Sequence, residues 1–544
     1  MKPTICKTKQ CRAGVPSLRC LAVAALTLAV LALASGAFAQ GEQDAARVDT
    51  EEGAGESDAG PSTEPGAEPA LPDDAEEALQ AEAEGPVNAA QSAESPEELA
   101  GDVEPFEQDG GDDDWGEFDE WEEADAGGSS GGGAWDFQLG GFVEGLVAPR
   151  VVKSAASANE FAAAEARFRL NLDATHEIAS ARFRGDVYAD GALGRIWFDI
   201  RDASIFVRGG GWFSMRFGRQ VLTWGTGDFL FLNDLFPKDF NSFFIGRADE
   251  YLKAPSNSIQ TTFMMKKVGL DLIWTPIFES DRFIDGERLS FFNPLTGEIQ
   301  GDRSPLSPLD PTFPEKRLRN GTVHGRLYGS AGPVELAAYG YAGFWPQPTA
   351  LSGPLAPPPD APTAAFARLA VYGASVRAPL GGGLINVEGA FYDSFDDRAG
   401  TDPTIPNSQF RGLAGYEREL FPKFQMGLQY YLEYTLKYDE LTAPEAPGEE
   451  PGSYWPEYLP NRFRHLITLR LTQLLLMDNL ELSLFTFFSP DELDTYIRPR
   501  VTYKIAEPLA IVVGANLMVG RDDYTFFGQL KENTNVYVRL RYSF

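Results

Sequence analysis

The chain of 544 residues is poor in the side chains from which many catalytic and metal sites are made. Its three cysteines, Cys6, Cys11 and Cys20, all precede residue 40, so the chain beyond that point has no thiol for a disulfide or a Cys-based metal site. Cys20 follows Ser17, Leu18 and Arg19 and precedes the apolar run, which is not the setting of an acylated lipoprotein cysteine. The three histidines, His176, His324 and His465, are too scattered for a His-based metal cluster. Only one long apolar run occurs, Leu21 to Leu33, preceded by Lys2, Lys7, Lys9, Arg12 and Arg19 and followed by Ala37-Phe38-Ala39. That order is expected of a secretory signal peptide spanning residues 1–39, and no later segment is apolar enough for a transmembrane helix.

Base is nearly missing from residues 41–134, which hold 31 acidic residues against Arg47 alone. Most of the chain's net charge of −34 therefore belongs to one region. With Ala, Glu, Asp, Gly and Pro dominant and no aliphatic periodicity, residues 40–134 bury too little apolar surface to offset chain entropy, and a disordered acidic region is expected. One island differs, Asp112 to Glu123, in which Trp115, Phe118 and Trp121 recur every three residues. The spacing suits one side of a short helix formed on a partner or in a barrel lumen; a solvated acidic linker is the plainer alternative.

From Trp135 onward the apolar period becomes two. About eighteen amphipathic stretches follow, beginning near Phe137, Phe161, Ala181, Arg195, Trp212, Asn257, Val268, Gly321, Pro333, Phe366, Gly383, Gln409, Lys423, Asn461, Leu480, Thr495, Leu509 and Thr534. Even-numbered joints are tight, for example Lys266-Lys267 and Met477 to Asn479. Every long connection is odd-numbered: Thr223 to Ser256, Pro276 to Asn320, Pro346 to Ala365, Asp396 to Ser408 and Asp439 to Pro460. Such parity predicts an all-β fold, an up-and-down antiparallel transmembrane β-barrel over residues 135–544, with turns and both termini in the periplasm and loops outside. Closure is required because unpaired strand edges cannot face hydrocarbon. A soluble β-helix or propeller would need a repeat of fixed length, and none is seen.

With faces assigned by phase, aliphatics alternate with base. Arg167, Arg169, Arg182, Arg184, Arg216, Arg326, Arg462, Arg464, Arg470, Arg498, Arg500, Lys504, Arg539 and Arg541 fall on the lumenal phase, because charge on the lipid face costs kilocalories near the midplane. The main inward acids are Glu144, Asp173, Asp186, Asp190, Glu388, Glu433 and Glu481, fewer than the bases. The excess predicts an anion-favouring path; inward pairs that merely plug the barrel are the alternative.

The chain ends in a strictly alternating strand, Asn535 to Phe544, with Tyr542 and Phe544 at its last outward positions. It resembles the C-terminal assembly signal of bacterial outer-membrane β-barrels, and the resemblance implies recognition by the barrel-assembly machinery. Asp202 to Arg208, then Trp212-Phe-Ser-Met-Arg-Phe-Gly-Arg-Gln-Val-Leu-Thr-Trp-Gly225 and Asp228 to Asp239, resemble the strand pair of porin-like outer-membrane proteins that include alginate-export-type porins and related uncharacterised barrels. The likeness covers Ile196 to about Pro276 and is architectural elsewhere. It implies a channel, with Arg216, Arg219, Gln220 and Trp224 near the loop-side mouth. Arg219 is out of phase with Arg216, which predicts a bulge at Gly218 that turns Arg219 inward.

The connection after Trp224 is aromatic (Phe229, Phe231, Phe236, Phe240, Phe243, Phe244) and carries Asp228, Asn233, Asp234, Lys238 and Arg247. A loop of this composition is expected to pack inside or across the mouth as a constriction. Asp228, Asn233, Asp234 and Asp239 bring oxygen ligands together, but at no recognisable calcium spacing, and no metal is assigned. No Ser, His and acid occur at catalytic spacing, so an enzyme is not expected. The expectation is an outer-membrane channel for an anionic small molecule or polymer, without cofactor and without nucleic acid, and with an acidic periplasmic tail. The alternative is a plugged structural or assembly barrel docked through that tail to a periplasmic partner.

Overall fold

The computed structural model describes residues 135–544 apart from 295, 305–308, 354–361 and 443–459. The expected leader, the acidic region and its aromatic island lie outside the described residues.

Alternation of β-branched and aromatic residues with polar ones gives strands in which successive side chains take opposite faces. The first group is β1 (Asp136–Pro149), β2 (Phe161–His176), β3 (Ala179–Asp190), β4 (Arg195–Arg208), β5 (Phe213–Val221) and β6 (Pro255–Met265). Next come β7 (Val268–Thr275), β8 (Thr322–Ala331), β9 (Val334–Phe344), β10 (Arg368–Leu380), β11 (Gly383–Ser394) and β12 (Gln409–Phe421). The last are β13 (Phe424–Thr435), β14 (Phe463–Leu475), β15 (Leu480–Ser489), β16 (Asp494–Ala506), β17 (Leu509–Gly520) and β18 (Asn535–Ser543).

Each strand pairs antiparallel with the next, and β18 pairs with β1, closing a sheet of 18 strands. At the seam, the Phe544 N–H donates to the Gly141 carbonyl at 2.9 Å and the Phe544 carbonyl accepts from the Gly141 N–H at 3.0 Å. The Phe544 ring stacks on Phe168 with centroids 6.2 Å apart, on the outer face. The terminal residue is thus a rung of the closing ladder as well as an outward aromatic.

Turns and loops alternate between the two ends as expected. Leu380 and Gly383 are joined by Gly381 and Gly382 at φ 60° and 79°, the two positive values that a type I′ hairpin needs and that only glycine adopts freely. The long connections, between β5 and β6 and between β7 and β8, leave from the opposite end.

Large apolar side chains are exposed on the outside, among them Phe168, Phe198, Leu327, Val376, Leu428 and Val538, while Arg167, Arg169, Asp186, Glu388 and Arg498 are buried within. This inversion of a soluble protein's arrangement is what a cylinder solvated by lipid requires, so the fold is a transmembrane β-barrel. No helix among the described residues is long and apolar enough to cross a membrane.

Candidate functional site: the lumen and its inserted loop

Residues 222–254 fold back into the barrel. A short helix, Phe240–Phe244, is capped by Asp239, whose carboxylate accepts from Ser242 N–H; its Phe243 and Phe244 rings pack against inward Tyr496 of β16, and Phe229, against Phe243, packs on inward Phe485 of β15. The aromatic content of this loop therefore has a direct cause: it supplies apolar surface to a lumen that the strands line partly with apolar rings.

Two walls hold the loop. On one, Glu250 meets Arg169 of β2 at 2.9 Å and Arg541 of β18 at 3.4 Å, while Asp249 bridges Arg498 and Arg500 of β16, the latter at 2.7 Å. Arg201 of β4 donates to the carbonyls of Glu250 and Lys253 at 2.8 and 2.9 Å. The Tyr251 hydroxyl reaches Asp186 of β3 at 2.9 Å, and the Arg167 guanidinium lies 3.8 Å from the Tyr251 ring centre. Arg247 forms a 2.6 Å pair with Glu165. On the opposite wall, Glu388 of β11 accepts from Asn233 at 2.9 Å and from the Thr226 hydroxyl at 2.7 Å. Tyr392 donates to the Leu232 carbonyl at 2.6 Å, and Asp228 pairs with Arg470 of β14 at 3.3 Å.

At the root of the loop, Lys238 pairs with Asp234 at 2.8 Å and donates its amide to Asp281 at 2.8 Å. Burial raises the Asp281 carboxyl to about 6, against the opposing influence of the Lys238 charge and amide. At the loop tip, burial would raise Asp249 as well, but Arg498 and Arg500 reverse the sign and hold it at about 2.

The raised Asp281 carboxyl has a signed consequence. Between the ordinary 3.8 and about 6 the folded protein keeps a proton that the unfolded chain has lost, so this group's stabilisation is full below that window and fades as pH rises through it. Asp281→Asn is expected to raise the melting midpoint of the detergent-solubilised barrel relative to wild type by more at pH 8 than at pH 4.5, with a difference on the order of 3 kcal/mol at most. A mutant-minus-wild-type difference independent of pH would refute the assignment.

The inward phase collects most of the expected basic residues. Arg167 pairs with Glu144; Arg169 with Asp186 at 2.6 Å; Arg182 and Arg184 with Asp173 at 3.2 and 3.8 Å. Arg326 meets Asp271 at 2.8 Å, Arg464 meets Glu492 at 3.3 Å, and Arg539 and Arg541 share Glu144 at 3.7 and 2.8 Å. Arg500 also reaches Glu481 at 2.9 Å. Arg216 lies in the turn-side half of β5 over the Phe206 ring rather than at the loop-side mouth, and Lys504 lies near the turn end of β16. Arg462 precedes β14 at the loop rim, beside Asp439.

Arg219 departs from expectation. The register of β5 runs through Gly218 without a shift, and Arg219 opposes Ala203 and Asn257, both exposed on the outer phase. It donates to the Ile200 carbonyl at 2.6 Å and pairs with Glu279 at 3.2 Å. The bulge lies one strand earlier, where Arg201 is the extra residue between Arg184↔Asp202 and Gly185↔Ile200. Gly218 is needed for another reason: at φ 125° a Cβ there would sit 2.3 Å from the Ala203 carbonyl oxygen.

The expected shortage of lumenal acid is also corrected. Asp249 and Glu250, not singled out in the sequence, arrive on the loop, and Glu165, Asp199, Asp202 and Asp271 are buried on strands. Adjacent acids in a loop otherwise rich in rings are the signal that could have found them, since such a pair enters a lumen only to meet base. His324 is buried against Phe236 at 4.3 Å between ring centres, and His465 is on the outer face, hydrogen-bonded to Tyr430 at 2.6 Å. The oxygens of Asp228, Asn233, Asp234 and Asp239 face different partners, and no cluster of metal-ligating residues occurs among the described residues.

No family model and no curated protein matches the chain. Solved structures similar to it include OccAB3 of Acinetobacter baumannii, at 10% identity and a TM-score of 0.45, covering 75% of this chain and 99% of that one. Pseudomonas aeruginosa OccK5 (OpdH) is similar at 13% identity and a TM-score of 0.42, covering 75% and 97%. The outer membrane channel DcaP of A. baumannii is similar at 9% identity and a TM-score of 0.36, covering 77% and 99%. The barrel assignment rests on the closed strand pairing and not on these likenesses.

Proposed function

We propose that the chain is an outer-membrane channel that passively conducts or exports an anionic small molecule or polymer, with residues 222–254 as its selectivity constriction. The observation that carries this reading is the loop itself, which is inserted in the lumen and latched to both walls. Beside it run arginines on adjacent inward positions, Arg182 and Arg184 on β3 and Arg498 and Arg500 on β16, and rings of base lower the energy of an anion in a pore. On this reading the short turns, both termini and the acidic residues 40–134 are periplasmic, residues 1–39 are a cleaved leader, and Tyr542 and Phe544 serve the barrel-assembly machinery.

A second reading is favoured by the same contacts. Because the loop brings carboxylates to the basic residues it touches, a plugged barrel that docks a periplasmic partner through its acidic tail accounts for the latches equally well. Purified protein in planar bilayers under a potassium chloride gradient separates the two. Discrete steps with a reversal potential of anion preference support the channel; the absence of steps supports the plug, and cation preference removes the anionic permeant.

A further inference from the structure

We propose that the outer face at the turn-side ends of β5, β6 and β7 is a binding site for an anionic glycerophospholipid, with Lys266 and Lys267 on its phosphate and Trp212, Phe213 and Phe263 against its acyl chains. The inference rests on the lipid-facing exterior of the barrel and not on conduction, so it stands or falls apart from the channel reading.

The apolar half of the site is a cluster of rings. Phe213 of β5 opposes Phe263 of β6 on the outer phase, with ring centres 5.4 Å apart. Trp212, in the turn before β5, lies beside both, its ring centre 5.8 Å from Phe213 and 6.1 Å from Phe263. The two hairpins are tied together at this level, because the Met264 N–H donates to the Trp212 carbonyl at 2.9 Å. Trp212 and Met265 are nonetheless 60% exposed, and exposed Val268, opposite Met265, continues the apolar surface onto β7. Aromatic rings collect where the apolar band of a barrel meets the headgroups, which places the cluster at that interface.

Charge follows immediately. Lys266 and Lys267 are the two residues after Met265 and form the turn between β6 and β7, both exposed. A lysine stem covers apolar surface while its ammonium stands in the headgroup layer. No carboxylate of these hairpins competes for them, since residues 205–214 and 260–270 contain neither Asp nor Glu. Asp271 further along β7 is buried in the lumen and paired with Arg326 at 2.8 Å. On the next hairpin, Glu335 shares the inward phase of Tyr341 and opposes Arg377, and Glu177 is two turns away on the other side. Arg208, at the turn end of β4, is engaged by other contacts, and the site does not depend on it.

Backbone conformation is the independent observation. Lys266 has φ 56°, in the left-handed region where glycine and asparagine fit at least cost. The turn between β10 and β11 meets the same demand with Gly381 and Gly382. A lysine placed there instead carries strain that a use for its charge explains. Lys423, at φ 62° in the turn between β12 and β13, has that use within the chain, pairing with Asp478 at 2.5 Å. For Lys266 the hairpins supply no acid, and the phosphate of a lipid seated on the rings does.

Native mass spectrometry of the detergent-solubilised full-length protein, titrated with dioleoylphosphatidylglycerol or with dioleoylphosphatidylcholine, reads the affinity for each lipid at constant acyl chains. The wild type is expected to bind the phosphatidylglycerol about tenfold more tightly, two lysines each contributing to the attraction of an anionic headgroup. Lys266→Asn combined with Lys267→Gln should bring the two lipids close to equal, while Lys423→Gln on the same rim should leave the preference intact. Because asparagine accepts the left-handed backbone, the double variant should keep its heat-modifiable migration and convert at a temperature no lower than the wild type. An excess of inorganic phosphate should fail to displace the lipid, since it has no hold on the rings. Equal affinities in the wild type, a preference that survives the double variant or is lost equally in Lys423→Gln, a lowered conversion temperature in the double variant, or displacement by inorganic phosphate would overturn the proposal.

Discussion

Asp249→Asn combined with Glu250→Gln is expected to release the inserted loop from the basic wall while leaving the barrel closed. The two carboxylates engage Arg169, Arg498, Arg500 and Arg541, all turned inward, and the pairs with Arg169 and Arg498 are deeply buried. Removing one partner of a buried pair costs about 3–5 kcal/mol, chiefly because the charge left behind has lost its compensation. The loop's apolar contacts with Phe485 and Tyr496 and its hold on Glu388 and Tyr392 of the far wall oppose that release. They do not replace the lost charge, so the 245–254 segment should lift first. The strand ladder is untouched, so heat-modifiable migration should persist while residues 245–254 become cleavable by added protease. If the barrel conducts, its single-channel conductance should rise severalfold and become noisier. Continued protease resistance with unchanged migration would show that the apolar anchors hold the loop alone. Glu388→Gln serves as the comparison on the far wall, where the polar partners Asn233 and Thr226 are neutral and a smaller effect is expected.

The eighteen strands were legible because lipid and lumen impose opposite chemistries on alternate residues, as with Phe168 against Arg167 and Arg169, so the period of two survives along every span. Turns were legible for a related reason, a short connection such as Gly381-Gly382 having few conformations that return the chain. Loops have no such period. That residues 222–254 enter the lumen followed from their aromatic content, but which side chains would meet the walls did not, because Asp249 and Arg498 are distant in sequence and only closure of the barrel brings them together. Arg219 was misplaced by a related ambiguity. Its charge argued for turning it inward through a bulge at Gly218, but β5 keeps its register there and Arg219 stays on the outer phase, where the Ile200 carbonyl and Glu279 satisfy it.

Ion preference should be the most sensitive reading of the basic wall. Replacing Arg182, Arg184 and Arg216 together with Ser removes three positive charges from neighbouring strands on the turn side of the loop, where Asp173 and Asp202 remain. The local sign of the wall then changes rather than merely weakening, because those acids lose the base that offset them. Within a screening length of about 8 Å at physiological salt, such a reversal acts on any ion passing that face. The anion-to-cation permeability ratio is therefore expected to fall severalfold, with the reversal potential in a salt gradient moving toward cation preference and the conductance changing much less. Arg326→Ser, on the far side of the lumen and paired with buried Asp271, is expected to shift the ratio less than the triple replacement. A triple variant that conducts with the wild-type reversal potential would mean that ions cross the barrel out of reach of β3 and β5.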